Sequence, residues 1–126
     1  MEEKKYLALR NVDAYKKSLL LSNEIWAMLK HWDYFSRDTV GKQYARAADS
    51  ISANIAEGFG RYHKKDKVLF YRYAYGSLHE SVDWTVKSRM RGLIDQETYE
   101  RILKSLQNLM PSLHHLIKFT NEKLQH

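Results

Sequence analysis

The sequence predicts an all-α protein whose 126 residues form a single domain, an antiparallel up-down-up-down bundle of four helices. Three observations lead to this prediction. Apolar residues recur at spacings of three and four along four segments, which is the period of a helix with one buried face. The chain has only one proline and five glycines, too few for the frequent turns of an all-β protein. The breaks between segments are short, which is typical of neighbouring antiparallel helices.

The first two helices are predicted over about residues 12–34 and 39–58. Residues 36–38 form the break between them, and Asp38 is expected to cap the second helix because its carboxylate can accept from free backbone N–H groups. Gly58 and Gly60 are expected to end that helix, since glycine adopts the left-handed conformation at little cost. The apolar stripes are Val12, Tyr15, Leu19, Ser22, Trp26 and Leu29 in the first helix, and Val40, Tyr44, Ala47, Ile51, Asn54 and Gly58 in the second.

The third and fourth helices are predicted over about residues 64–91 and 95–124. Gly92 is expected to close the third helix, and Asp95 is expected to cap the fourth. Pro111 lies inside the fourth pattern, where it removes a backbone donor and predicts a kink or a local opening near Gln107.

The third and fourth helices each carry two apolar stripes, although a monomeric bundle needs only one per helix. Tyr71, Tyr73 and Tyr75 point in several directions around the third helix at about 100° per residue. We therefore expect these tyrosines to form a subunit interface of a homo-oligomer, since tyrosine is enriched in interface cores. The alternative is that their rings cover apolar stems and their hydroxyls stay in water.

The sequence lacks the residue patterns of catalysis and of metal binding. There is no cysteine, which excludes a disulfide scaffold, a thiol nucleophile and a cysteine-bound metal. No glutamate is followed three residues later by histidine, and the adjacent His114 and His115 point about 100° apart on a helix. There is no phosphate-binding glycine loop and no nucleophile elbow. We expect no enzymatic activity, no metal and no cofactor.

The start of the chain has no apolar run of signal-peptide length, and no segment reaches the length of a membrane span. These features predict a cytoplasmic protein without a membrane partner.

Charge gives the strongest functional indication. Lys and Arg number 21 and Asp and Glu number 15, so the net charge is +6, an excess that favours a nucleic-acid partner. In an up-down bundle, the turn between the second and third helices shares one end with the end of the fourth. Lys4, Lys5 and Arg10 are expected nearby, and Phe59 and Tyr62 could stack on unpaired bases. The predicted RNA- or DNA-binding residues are Arg61, Lys64, Lys65, Lys67, Arg72, Lys118 and Lys123.

A second basic group, Lys87, Arg89 and Arg91, is expected at the opposite end with Arg37 and Lys42. The alternative for both groups is that they are solvated helix ends, with nearby acidic residues offsetting part of their charge.

Residues 46–61, RAADSISANIAEGFGR, and the segment 70–80 resemble the proteins encoded by intervening sequences within bacterial 23S ribosomal RNA genes. This resemblance implies a four-helix protomer assembled as a homopentameric barrel. A related branch of that family comprises the accessory variability determinants of diversity-generating retroelements, and the motif does not separate this branch from the stand-alone relatives. The accessory variability determinants are basic pentamers that bind RNA and DNA and associate with a reverse transcriptase.

Within the motif, Asn54 is expected at a helix–helix contact, where a buried amide needs hydrogen-bond partners. Glu57 is expected either to accept from backbone donors of the third helix or to pair with Arg61. With Gly58 and Gly60, these residues are interpreted as structural rather than chemical.

Two functions remain open from the sequence. One is an oligomeric, nucleic-acid-binding accessory protein, with a reverse transcriptase as one candidate partner. The other is a protein-interaction scaffold of the same family whose charge serves solubility.

Overall fold

The computed structural model describes residues 9–124, and these residues form helices with no β-strand. The long helices are α1 (Asp13–Leu29), α3 (Lys42–Gly60), α4 (Lys64–Met90) and α5 (Gln96–Lys123). A short helix α2 (Tyr34–Ser36) and a π-helical segment (Arg37–Gly41) lead into α3. The prediction of an all-α chain is confirmed.

The long helices pack around one shared core as a helical bundle. α3 packs against α1 and α4, and α5 also packs against α1 and α4. Two side chains that touch across α3 and α4 are Tyr44 and Thr85, whose hydroxyls lie 2.6 Å apart in a buried hydrogen bond. Every fully buried side-chain nitrogen and oxygen in residues 9–124 has a hydrogen-bond partner. The core is built from Ala14, Leu21, Ile25, Leu29, Tyr44, Ala48, Ile51, Ile55, Tyr71, Ala74, Leu78, Ile102, Leu106, Leu109 and Leu113.

The predicted buried face of the first helix was wrong in part. Trp26 is 58% exposed and Leu19 is 39% exposed, although both belong to the predicted stripe. The stripe that packs inward contains more small residues: Ala14, Ser18, Leu21, Ser22, Ile25 and Leu29. Ser18 can be buried without an unpaired polar group, because its hydroxyl donates to the carbonyl of Tyr15 in its own helix at 2.9 Å. Small side chains on this face let the neighbouring helices come close.

The connection between the first two long helices also differs from the prediction. α1 ends at Leu29 rather than near residue 34, and helical structure begins again at Tyr34. The capping residue is Asp33, whose carboxylate accepts from the Ser36 N–H at 3.1 Å, and not Asp38. The side chain of Asp38 instead pairs with Lys42, with 3.1 Å between Nζ and Oδ1. The predicted loop at residues 36–38 is therefore helical.

Gly58 has a different function from the predicted one. The helix continues to Gly60, and in residues 9–124 the only glycine with positive φ is Gly92. A Cβ atom on Gly58 would lie 2.7 Å from Cε1 of Tyr71 and 2.9 Å from the carbonyl oxygen of Lys67. The glycine is required because α4 passes so close to α3 that no side chain fits between them.

The expected tyrosine interface needs a correction at Tyr71. Its side chain is only 2% exposed and belongs to the core of the protomer, so it has no surface to offer a second copy. Tyr75 is half-buried and packs against the same core. Tyr73 remains 50% exposed. Sequence periodicity could not separate these cases because a core stripe and an interface stripe have the same spacing.

The connection between α4 and α5 follows the prediction. Gly92 has a φ of 74° and ends α4, and Asp95 caps α5 by accepting from the Thr98 N–H at 2.8 Å. α5 continues through Pro111 to Lys123 without the interruption expected near Gln107. Gln107 lies on the exposed side of the helix, where water can reach the carbonyl left without a donor.

None of the helices in residues 9–124 combines the length and the apolar character needed to cross a membrane.

The first prediction concerns the close approach at Gly58. Gly58→Ala should lower the free energy of unfolding by about 1–3 kcal/mol, the usual range for overpacking a core, because its Cβ would collide with Tyr71. Urea denaturation followed by circular dichroism measures this loss. Gly60→Ala is the matched control, since nothing lies within 4 Å of its added Cβ. Equal stability of the two variants would contradict the prediction.

The second prediction concerns alkaline pH. Burial raises the pKa of Tyr44 to about 12 from 10.0, so the unfolded chain releases this proton first as pH rises. Stability should therefore decline above about pH 10, by up to about 1.4 kcal/mol per pH unit from this residue. Denaturation midpoints across that range measure the slope. Tyr44→Phe should reduce the slope but not abolish it, because burial also raises the pKa of Tyr71 to about 12. Tyr34→Phe, at an exposed ring, should leave the slope unchanged.

Candidate nucleic-acid interface

The predicted basic end of the molecule is formed where α4 begins and α5 ends. The ammonium group of Lys64 donates to the carbonyl oxygens of Asn121 at 3.2 Å and Leu124 at 3.1 Å. These carbonyls lie at the C-terminal end of α5. Carbonyl groups at a helix end have no N–H partner within the helix. Lys64 therefore caps α5 and brings the two helix ends together. We call the surface around this junction the basic pole.

Two further cations of the predicted site also bind within the protein. Lys67 donates to the carbonyl of Phe59 at 2.7 Å and lies 5.5 Å from the centre of that ring, and burial lowers the pKa of its ammonium group. Arg61 pairs with Glu57 at 2.9 Å and lies 4.7 Å from the ring centre of Phe70. Arg61, Lys64 and Lys67 thus hold the pole together. Of their contacts, the sequence had indicated only the pair of Arg61 with Glu57.

The remaining four predicted cations are Lys65, Arg72, Lys118 and Lys123. All four are exposed, and none makes a hydrogen bond or ion pair within residues 9–124. Their charge is available to a ligand because no internal partner neutralises it. Lys65 and Arg72 also line a groove of about 380 Å³ that includes Leu69 and Asn121. Lys4 and Lys5, which were expected nearby, lie outside the described residues.

Two aromatic residues were expected beside these cations. Phe59 is half-buried and lies beneath Lys67, which leaves little of its face for a base. Tyr62 is 70% exposed, and its ring contacts His63 edge-on with 5.0 Å between centres.

A group of three rings lies between α4 and α5, and the sequence did not predict it. Tyr75 lies between His79 and His114, with 4.7 and 4.8 Å between ring centres. Both histidines are exposed, whereas Tyr75 is half-buried. His114 is on α5, so no spacing rule could pair it with Tyr75 and His79 on α4.

In the second basic group, at the opposite end, most members have internal partners. Lys87 pairs with Asp83 at 2.7 Å, and Arg89 donates to Gln96 at 2.9 Å. The guanidinium of Arg37 donates to the carbonyl of Lys30 at 3.3 Å. Arg91 is the member of this group without such a contact in the described chain. The basic pole therefore has more available charge.

Within residues 9–124, no group of three or more acidic or histidine side chains is arranged to hold a metal ion.

The model of the 23S rRNA-intervening sequence protein family matches residues 10–115. The chain belongs to this family. No curated protein matches its sequence.

A solved structure supports the fold of this family member. It is a protein of unknown function from the S23 ribosomal protein family of Bacteroides thetaiotaomicron, determined at 1.70 Å. The two chains superpose with a TM-score of 0.75 at 24% sequence identity. The match covers 83% of this chain and 98% of the other. At this identity the likeness concerns the fold alone.

The family motif at residues 46–61 has local, structural contacts. Asn54 donates from its amide to the carbonyl of Ser50 at 2.8 Å, so its hydrogen-bond partner lies in its own helix. Glu57 pairs with Arg61, which was one of the two expected arrangements. Asp49 accepts a short hydrogen bond from Ser22, a contact between α3 and α1 that the sequence did not indicate. Gly58 provides the close approach to α4, and Gly60 faces open space.

Proposed function

We propose that this member of the 23S rRNA-intervening sequence protein family is a non-enzymatic, basic, oligomeric accessory protein that binds nucleic acid. The observation that carries the proposal is the division of the basic pole into cations with internal partners and cations without them. Lys65, Arg72, Lys118 and Lys123 keep their charge available on one end of the molecule. Exposed, unpaired cations are what a phosphate backbone attracts, with little dependence on base sequence.

The arrangement of the helices supports the pole as one surface. We infer an antiparallel up-down-up-down bundle, because the start of α3 meets the end of α4 at Tyr44 and Thr85, and the end of α3 meets the start of α4 at Gly58 and Tyr71. Glu24, near the end of α1, pairs with Arg101, near the start of α5, at 2.6 Å, as expected if these two helices are antiparallel as well. In this arrangement one end of the bundle holds the start of α4 and the end of α5.

We further propose that protomers assemble into a homopentameric barrel, as the family resemblance implies. Large apolar side chains remain exposed on the protomer: Trp26 at 58% and Phe35 at 75%. Tyr73 is the predicted interface tyrosine with the most exposed ring. A ring of five copies would bring five sets of available cations together, which strengthens attraction of a polyanion.

The partner of such an accessory protein is proposed to be the reverse transcriptase of a retroelement. This proposal is supported by the resemblance of residues 46–61 to a family that includes a retroelement branch, and the motif is common to that branch and to the other members. It predicts that a reverse-transcriptase gene lies beside the coding sequence.

The second candidate function is a protein-interaction scaffold without a nucleic-acid role. It is favoured by exposed apolar side chains at the end opposite the basic pole, notably Tyr34, Phe35 and Met90. Apolar surface of this kind is a common feature of protein-binding sites. The two functions differ in a simple way, because only the first requires salt-sensitive binding of RNA.

The third prediction tests nucleic-acid binding directly. Fluorescence anisotropy with a labelled RNA should give an affinity that falls steeply with salt. Four phosphate contacts per protomer predict a slope of log affinity against log salt of roughly −3. The double variant Lys65→Glu with Arg72→Glu should bind at least about tenfold more weakly, since two attractive contacts become repulsive.

The control for this experiment is Lys104→Glu, because Lys104 is exposed on α5 away from the basic pole. It changes the net charge by half as much as the double variant but leaves the proposed site intact. If both variants lose the same binding free energy per unit of charge changed, the RNA is attracted by the net charge alone. Absence of salt-sensitive binding would favour the scaffold.

The fourth prediction concerns assembly. Light scattering coupled to gel filtration should give a mass of about five times the 15.0 kDa protomer. Tyr73→Glu should shift the mass toward that of the protomer, since an interface disfavours an unpaired charge. Gln107→Glu is the comparison, because it adds the same charge at an exposed position of α5. A protomer mass for the wild-type chain would rule out the barrel.

A further inference from the structure

We propose that the face of α4 and α5 that extends from the basic pole to His79 and His114 is specific for single-stranded nucleic acid, with phosphates on Lys65 and Arg72 and unpaired bases on His79 and His114. This inference rests on the proposed nucleic-acid function and specifies the ligand class of that site. It is carried by three rings that lie within about two helical turns of Arg72.

The cations and one of the rings follow a single line along α4. Lys65, Arg72 and His79 are spaced seven residues apart, which places successive members about 10 Å apart along the axis and within about 20° of each other around it. Leu69 and Gly76 occupy the positions between them. A cation, an apolar side chain, a second cation, a glycine and a ring therefore succeed one another on an exposed face.

Gly76 and Leu69 make this line accessible to a ligand. Nothing lies within 4 Å of the position of a Cβ on Gly76, so a ligand can reach the helix backbone there. Leu69 is 43% exposed and lines the groove of about 380 Å³ between Lys65 and Arg72. The face thus offers apolar surface between its two positive charges, which suits a strand that carries its own apolar bases.

The rings have the geometry of a stacking platform. Tyr75 is half-buried against the core and fixes both histidines, with ring centres 4.7 Å from His79 and 4.8 Å from His114. The two histidine rings are exposed, so each retains surface on which a base can lie. A ring held in place by its neighbours loses less conformational freedom when a base binds.

A duplex would make poor use of this arrangement. In double-stranded RNA each base face is covered by its neighbours, and recognition depends on backbone shape and phosphates. Unpaired bases are free to stack on side-chain rings, and this stacking tolerates any base. A face with two unpaired cations and exposed rings therefore binds a single strand more tightly than a duplex that contains the same strand.

Neighbouring acidic residues limit the length of the site. Glu80 follows His79, and within the described residues its only side-chain partner is the neutral indole N–H of Trp84, which donates to it at 3.3 Å. Asp66 lies beside Lys65 at the other end. A strand that follows α4 would be repelled beyond His79, so the contact region on α4 spans about residues 65–79.

The test compares one labelled oligoriboadenylate as a single strand and after annealing to unlabelled oligouridylate. At a pH where histidine is neutral, the wild-type protein should bind the single strand at least about tenfold more tightly than the duplex. His114→Ala should weaken single-strand binding about tenfold, the effect of losing one stacked base. Duplex binding should change less than about twofold, and the salt dependence of both should be unchanged.

His115→Ala is the matched control, because His115 is an exposed neighbour of His114 and has no ring contact in the described chain. It should leave both affinities unchanged. Tyr75→Leu should reduce single-strand binding through loss of support for both histidines, and circular dichroism verifies that each variant is folded. Lys65→Ala should instead reduce binding of both forms and lower the salt slope by about one.

The outcomes separate this inference from the function on which it rests. Equal or tighter binding of the duplex, or equal losses for the two forms in His114→Ala, would overturn the single-strand assignment and leave nucleic-acid binding intact. If the wild-type protein binds neither form at low salt, both the proposed function and this inference are wrong.

Discussion

The contact between α3 and α4 at Gly58 is the constraint on which the rest of the structure depends. Tyr71 lies where a side chain at position 58 would be, so the two backbones approach at the end of the bundle that carries the basic pole. This approach places Lys67 within reach of the carbonyl of Phe59, and Arg61 above Phe70. The glycine of the family motif therefore determines where the cations lie, although it has no side chain and no charge.

Basic side chains at the pole have two different functions. Three of them satisfy carbonyl groups, aromatic faces or a carboxylate of the same chain, and they stabilise the ends of three helices. The others have no such partner and extend into solvent. The net charge does not distinguish the paired cations from the unpaired ones. A ligand is attracted mainly by the cations that have no partner within the protein.

The sequence predicted the helical class, the Gly92 turn and the Asp95 cap, because these depend on residues close together in the chain. It failed where two residues, or two faces of one helix, fitted the same local pattern. Asp33 and Asp38 are both competent caps, and the first helix has both a large aromatic stripe and a smaller one. Close packing chose the smaller stripe, and periodicity gave no means of knowing this. Tyr71 was misplaced for a related reason, since a core and a subunit interface both require apolar residues at helical spacing.

The clustering of lysines and arginines at the turn between α3 and α4 could be predicted from the sequence, but the contacts within the cluster could not. The internal partners of Arg61, Lys64 and Lys67 include backbone carbonyls, which every residue has and which therefore leave no signal in a sequence. The contact of Tyr75 with His114 depends on the axial register of α4 against α5, which is known only from the packed structure.

The π-helical segment between α2 and α3 has a consequence for the evolution of this surface. A π turn accommodates one residue more than an α turn, so loss of a single residue between Arg37 and Gly41 could restore a regular α-helix without disturbing the core of α3. The same deletion would rotate α2 by about 100° around the axis and redirect the exposed rings of Tyr34 and Phe35. A one-codon change could thus alter the exposed apolar surface at this end of the molecule while the fold persists.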